Sequence, residues 1–206
     1  MTFFYRGAGV DTYWHEHDAR KDGFSAIKPE ALRTIDRLID HISKGTVTSP
    51  YISLTRSYGV ACHYAAFLGR ARATEQTPGY VYRVEFEDTL PSGLELIDPV
   101  KRIAERVPGP LDDPSYQHDG SPDFLLGVVS PSKMKKYLDA PYLQPPPGGR
   151  VPRTPHLSAQ LETLMLALRD AEILAYGTIP PKAISDRFRV FWDGSKIQGR
   201  IDNSNF

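Results

Sequence analysis

Two stretches of the chain repeat with a period of two residues, which is the period of a β-strand with one buried face. They are Tyr80–Phe86 and Arg187–Trp192. The residues that share the inner faces are Tyr80, Tyr82, Val84 and Phe86 in the first stretch and Phe188, Val190 and Trp192 in the second. Both stretches predict strands of a sheet-based core.

Segments with the helical period of 3.6 residues lie between these and other strands. Apolar residues recur at this period through residues 29–43, and Gly45 provides a stop. Ser57 can cap a second helix from Tyr58 to about Leu68, and a third begins at Thr154. The further predicted strands are Phe3–Arg6 and Tyr51–Thr55. This mixture predicts an α+β fold.

The composition changes between about residues 100 and 155. Residues 108–123 are rich in Pro, Asp, Gly and Ser, and six prolines lie between Pro141 and Pro155. Such a stretch suits a stiff surface loop better than a helix or strand. We therefore predict a single domain over residues 1–206 that carries a loop-rich insertion at about 100–155.

Composition excludes several classes of function. The formal net charge is +0, so the whole chain has no overall attraction to nucleic acid or to an anionic membrane. Cys62 is the only cysteine, which excludes an internal disulfide, and no His/Cys/carboxylate cluster has the spacing of a metal site. We expect no metal and no membrane partner. With no signal peptide visible, we expect a cytoplasmic protein or one delivered into a target cell.

Three local features carry chemistry. Arg6 ends the first strand beside Gly7, and Ser53 and Thr55 share one face of another strand. Glu172 stands at the start of a short apolar run that a Gly-Thr-Ile-Pro-Pro turn follows. Each feature alone also has a structural explanation: a solvent-facing arginine, ordinary edge hydroxyls, or an acid at an exposed junction.

Together, and in this order, the features resemble the mono-ADP-ribosyltransferases of the cholera-toxin-like branch. The segment "FFYRG" is similar to the first strand of that family, and "PYISLTRS" to its Ser-Thr-Ser strand. "YVYRVEF" resembles the strand that follows, and "DAEILAYGTIPPKAI" resembles the segment that carries the catalytic glutamate. The resemblance implies an ADP-ribosyltransferase-like split β-sheet core with flanking helices.

The resemblance also implies a role for each site residue. Arg6 would hold a phosphate of NAD, and the Gly7 backbone would meet the nicotinamide carboxamide. Ser53 would orient the catalytic acid, with Thr55 in support. Glu172 would bind the 2′-hydroxyl of the nicotinamide ribose and stabilise the positive charge that develops there as nicotinamide leaves.

Two further positions depend on the same resemblance. Asp170 lies two residues before Glu172, where family members that modify arginine carry Glu. It would activate the acceptor or merely end the preceding helix. An aromatic residue would stack on nicotinamide, and Tyr58, Tyr64 and Phe67 are the candidates.

We therefore expect a transferase that uses NAD as substrate and moves ADP-ribose to a macromolecule, with a protein favoured over nucleic acid. A bacterial toxin, effector or anti-phage factor would fit, with a cognate immunity or antitoxin protein as a further partner. Two alternatives stay open. One is the same chemistry on a nucleic-acid base of the guanine type or on water, and the other is a catalytically silent NAD-binding or interaction module.

Overall fold

The computed structural model describes residues 2–45, 48–87, 89–104 and 159–201. The chain forms two compact units. The first comprises residues 1–33, 46–97 and 170–206, and the second comprises residues 34–45 and 98–169. The single domain with an insertion stays a prediction, because most of residues 100–155 lie outside the described part of the chain.

The first unit is built on an antiparallel sheet. Its strands, in chain order, are β1 (Thr2–Ala8), β2 (Tyr51–Thr55), β3 (Gly79–Phe86), β4 (Glu95–Ile97), β5 (Glu172–Tyr176), β6 (Ile184–Trp192) and β7 (Ile197–Ile201). Within the described residues they form one seven-stranded sheet in the order β4-β5-β2-β1-β3-β6-β7. Together with the helices, this sheet confirms the predicted α+β class.

The helices, in chain order, are α1 (Tyr13–Glu16), α2 (Ala19–Asp22), α3 (Ile35–Lys44), α4 (Tyr58–Phe67), α5 (Pro99–Ala104) and α6 (Ala159–Arg169), with a 3₁₀ turn at Pro181–Ala183. Ser57 caps α4 as predicted, because its Oγ accepts a hydrogen bond from Val60 N at 3.3 Å. The buried side of α4 carries small residues: Ala61, Cys62, Ala65 and Ala66. They let α4 approach β1 and β3 closely.

The sheet is joined at one narrow point. β1 and β3 pair along their whole length, from Thr2–Phe86 to Ala8–Tyr80. β2 and β5 likewise pair from Tyr51–Tyr176 to Thr55–Glu172. By contrast, the register between β1 and β2 consists of the single pair Tyr5–Thr55. β1 and β2 therefore diverge beyond Tyr5, and the sheet is open between them there.

The helix predicted over residues 29–43 is wrong over residues 29–34. The structure begins α3 at Ile35, because the Oγ1 of Thr34 accepts a hydrogen bond from Arg37 N at 3.2 Å and caps the helix there. Before this cap the chain turns, with Ala31 N donating to Lys28 O at 3.0 Å. Leu32, which the period placed on the apolar face, is 78% exposed.

The second unit contains α3, α5 and α6, which pack against one another. Leu38, Ile103 and Leu164 are buried within it. α5 lies at the start of the predicted loop-rich insertion. Asp98 accepts a hydrogen bond from Val100 N at 3.0 Å and starts the helix there. Residues 154–158, where the third predicted helix was to begin, lie outside the described residues.

No helix in the described ranges is both long and apolar enough to cross a lipid bilayer.

Candidate functional site

The predicted site residues meet where β1 and β2 diverge. If the pairing continued past Tyr5–Thr55, Gly7 would face Ser53. Instead, the side chain of Arg6 turns into the gap, and its Nη1 donates a hydrogen bond of 2.6 Å to the main-chain oxygen of Ser53. The guanidinium thus gives this main-chain carbonyl of β2 a hydrogen-bond donor from β1.

Arg6 occupies an unfavourable environment for a cation. Burial lowers the pKa of its guanidinium to about 10, although the negative charge of Glu172 raises it in part. Its Nε is enclosed and has no hydrogen-bond partner among the described residues. The guanidinium carbon lies 5.5 Å from the centre of the Phe24 ring, a cation–π distance. A ligand that offers negative charge and acceptor atoms here would relieve these costs.

Glu172 is the first residue of β5 and is partly buried. It pairs with Thr55, and Leu174 pairs with Ser53. Because cross-strand partners point to the same face, the carboxylate shares its face with both hydroxyl side chains. The negative charge of this carboxylate raises the pKa of the Arg6 guanidinium in part. Arg6 thus contacts the backbone of Ser53, and Glu172 lies on the strand next to Ser53; the chemical roles of the three residues stay predictions.

The chain just before Glu172 is held on one side by the end of β2. Thr55 Oγ1 donates to the main-chain oxygen of Asp170 at 2.5 Å. Arg56 N donates to Ala171 O at 3.0 Å. Between these contacts, Ala171 adopts φ 46°, a left-handed conformation that a residue with a Cβ rarely takes. Glu172 therefore leaves a fixed and strained junction.

The chain after β5 is held from the other side. Phe24 and Ile179 exchange two main-chain hydrogen bonds, at 2.8 and 2.9 Å. Gly23 makes this approach feasible, because a Cβ there would lie 2.2 Å from Ile179 O and its φ is 72°. The Gly-Thr-Ile-Pro-Pro turn is thus tied to Phe24, whose ring also lies beneath Arg6. Phe24 was missed in the sequence, which offers only its position after a glycine.

Thr55 has a structural use of its own. Besides its bond to Asp170, its Oγ1 accepts a hydrogen bond from Ser57 N at 2.9 Å. The side chain is buried, at 7% exposure. Any support that Thr55 gives to the site therefore acts through the junction of β2 with α4.

Gly7 allows α4 to lie against β1. A Cβ at this position would come within 2.4 Å of Ala61 O and 2.8 Å of Tyr64 Cβ. The absence of a side chain is thus needed for helix packing, which the sequence interpretation did not foresee. A contact between the Gly7 backbone and nicotinamide stays a prediction.

The two tyrosines of α4 have different surroundings. Tyr64 reaches the site, because its hydroxyl donates to Asp170 Oδ2 at 2.6 Å. Tyr58 packs between the rings of Tyr5 and Phe188, each at 5.4 Å. Burial, together with its contact with Cys62, raises the pKa of Tyr58. The structure thus brings Tyr64 to the acidic side of the site and places Tyr58 beside β1 and β6.

The remaining candidates lie away from this network. The ring of Phe67 contacts Trp192 at 5.5 Å and His63 at 5.2 Å, near the end of α4. Cys62 is buried, and burial raises the pKa of its thiol. Within the described ranges, no group of three His, Cys, Asp or Glu side chains could hold a metal ion.

Comparisons with known proteins do not assign the chain to a family. No family model matches the chain, and no curated protein matches it. Among solved structures, the chain is similar to EcPltA, with a TM-score of 0.47 and 15% sequence identity over 96% of this chain and 82% of that one. At this TM-score we draw no conclusion from the likeness.

Proposed function

We propose that the chain is an NAD-dependent mono-ADP-ribosyltransferase that acts on a protein acceptor. One observation carries the proposal. Arg6, Ser53 and Glu172 come from three strands that are distant in sequence, and they meet at the single point where the sheet opens. This is the set of residues and the order that the resemblance to the family predicts.

Arg6 suits the binding of a diphosphate. A guanidinium recognises phosphate oxygens through paired N–H donors, and the Nε of Arg6 is an enclosed donor that still lacks a partner among the described residues. A bound phosphate would also restore the charge balance that burial disturbs. We propose that Arg6 holds the diphosphate of NAD beside the opening between β1 and β2.

Glu172 supplies the negative charge that bond cleavage requires. As the bond between ribose C1″ and the nicotinamide nitrogen breaks, its electron pair leaves with nicotinamide and positive charge grows on the ribose. A carboxylate held at that ribose stabilises the developing cation more than the ground state, so it accelerates the reaction. The fixed junction around Ala171 and the tied turn after β5 keep this carboxylate in place.

Asp170 completes the transfer. The acceptor's lone pair forms a new bond to C1″, and its proton passes to a nearby base. We propose the Asp170 carboxylate for that role, because it lies two residues before Glu172 at the same junction. Asp keeps the charge of the Glu that arginine-modifying relatives carry, although it is one methylene shorter. A guanidino side chain is therefore the acceptor that we propose.

The test uses labelled NAD, with nicotinamide release and label transfer to lysate proteins measured in parallel. Glu172→Gln preserves size and hydrogen bonding but removes the charge. We expect nicotinamide release to fall by roughly 10²–10³, while NAD affinity changes little. Glu95→Gln, which makes the same change on the neighbouring strand β4 and loses only an ion pair with Arg33, is the matched control.

The outcomes separate the alternatives. Near-normal nicotinamide release by Glu172→Gln would refute the catalytic role of Glu172. Label that nuclease removes but protease does not would replace the protein acceptor with a nucleic-acid base. Nicotinamide release without any transfer would indicate hydrolysis of NAD, and a wild-type protein that does neither would refute the enzyme proposal.

A further inference from the structure

The hydrogen bond between Tyr64 and Asp170 links two elements that are far apart in sequence. The hydroxyl of Tyr64 lies 2.6 Å from Asp170 Oδ2, across 106 positions of the chain, and the bond is partly buried. A bond this short to a carboxylate belongs to the stronger, charge-assisted class. It fixes an acid that, from the sequence alone, could merely end the preceding helix.

Both ends of this bond are held by other contacts. On the side of Tyr64, the glycine at position 7 lets the Cβ of Tyr64 pack directly against β1. On the side of Asp170, the main-chain oxygen of the same residue accepts the bond from Thr55. Neither the helix nor the junction can therefore move far to compensate for loss of the hydroxyl.

We propose that Tyr64 is a positioning residue for Asp170, and that it thereby decides how ADP-ribose is divided between a macromolecular acceptor and water. This inference rests on the function proposed above. An aspartate has two rotatable side-chain bonds, and a fixed phenol that donates to Oδ2 restricts both. The carboxylate then faces an incoming acceptor in one orientation instead of several.

The consequence is confined to one half of the reaction. Breaking the C1″–nicotinamide bond is the step that we assign to Arg6 and Glu172. Capture of the ribose by an acceptor depends on Asp170 receiving the proton from the attacking group. Without an oriented Asp170, water captures the ribose instead, so the same cleavage yields free ADP-ribose.

The experiment compares wild type, Tyr64→Phe, Asp170→Asn and the double variant at saturating NAD. Nicotinamide release and label incorporated into a fixed pool of lysate proteins are measured in each reaction. For Tyr64→Phe, which keeps the aromatic ring, we expect the ratio of transfer to nicotinamide release to fall by roughly tenfold or more. Tyr176→Phe, which removes a tyrosine hydroxyl from the far end of β5, is the matched control.

The double variant distinguishes positioning from general structural support. If Tyr64 acts through Asp170, the double variant should transfer no worse than Asp170→Asn alone. Once the carboxylate is absent, removing the hydroxyl that orients it has no further effect on transfer. Independent defects that multiply would overturn the inference. So would an unchanged ratio in Tyr64→Phe, or a parallel loss of release and transfer.

Failure of the inference differs from failure of the proposed function. A wild-type protein that releases no nicotinamide refutes the function, and the inference falls with it. An active wild type with an unaltered Tyr64→Phe ratio refutes only the role of Tyr64. Thermal unfolding of each variant checks that it folds. Tyr64→Trp supplies an indole N–H donor at a different position, so it should support less transfer than the native tyrosine.

Discussion

Replacing Arg6 with methionine should separate function from stability, because Arg6 sits where a cation is costly. Burial lowers the pKa of its guanidinium to about 10 even with Glu172 nearby. This lowering from the ordinary pKa of arginine corresponds to about 3 kcal/mol that the charged form costs the fold. Since the side chain as a whole is only partly buried, water screens some of this cost and about 3 kcal/mol is an upper limit.

Methionine also removes one favourable contact. The hydrogen bond to Ser53 O is lost, which costs about 1–3 kcal/mol if that oxygen finds no other partner. The two effects are opposite in sign and similar in size. We therefore expect the unfolding free energy of Arg6→Met at pH 7 to exceed that of wild type by about 0–2 kcal/mol. NAD binding should weaken at least tenfold.

The pH dependence of the unfolding free energy independently tests whether the charged form of Arg6 destabilises the fold. Because the folded-state pKa of Arg6 is lowered, the unfolded chain holds the proton more tightly than the folded one between about pH 10 and the ordinary arginine pKa. The unfolding free energy of wild type should therefore increase relative to that of Arg6→Met as pH rises through about 10. Other groups also titrate in this pH range, so the quantity to measure is the difference in unfolding free energy between the two proteins.

Arg83→Met is the matched control, because Arg83 also has an enclosed Nε that lacks a partner among the described residues. Its other nitrogens, however, contact Glu85 at 2.6 Å and Asp186 at 3.2 Å. Removal leaves two carboxylates without their cation, so this variant should be less stable by about 1 kcal/mol. Urea unfolding measures both proteins. A loss of more than about 2 kcal/mol in Arg6→Met would refute the reasoning and make Arg6 a structural residue.

Three further predictions concern the supports of the site. Thr55→Val should lower the unfolding free energy by about 1–3 kcal/mol, because two hydrogen bonds at the junction are lost; the exposed Thr178→Val should change it little in the same urea titration. Gly7→Ala should cost about 1–3 kcal/mol through the clash with α4, whereas Gly59→Ala, with 3.8 Å of room on that helix, should be neutral or stabilising in thermal unfolding. Hydrogen bonds from Gln198, Lys196 and Ser195 lower the pKa of Asp193. The stability that these bonds add to the β6–β7 hairpin is therefore present above the pKa that Asp193 has in the unfolded chain, and it is lost as pH falls below that value toward the folded-state pKa. Asp193→Asn should flatten that acid dependence, and an unchanged acid profile would show that the hairpin does not depend on the charge.

The sequence predicts the strands and the order of the site residues because those properties are local. Alternation in Tyr80–Phe86 follows from the pleat of one strand, and the Ser57 cap follows from one side chain and the next turn. Both are visible in a few consecutive residues. The three chemical residues could be named from their neighbours and from the order in which they occur.

The pairing register and the contacts between distant segments are not local, and the sequence does not contain them in readable form. Nothing near Thr34 shows that its hydroxyl ends the turn and starts α3, since Pro29 offers an equally good start. The Tyr64–Asp170 bond depends on how α4 lies over β1, which depends in turn on Gly7. Tyr64 could be selected as an aromatic residue, but its partner could not.

Two unfavourable features of this unit lie near Glu172, and this favours function over stability as their cause. Arg6 is a cation in a position that lowers its pKa, and Ala171 has a left-handed backbone beside the acid that Arg6 interacts with. For stability alone, an apolar residue at position 6 and a glycine at position 171 would serve better. The surrounding bonds from Thr55 and between Phe24 and Ile179 offset these costs and hold Glu172 still. A fold keeps such an arrangement when a charge must stand at a fixed point before its ligand arrives.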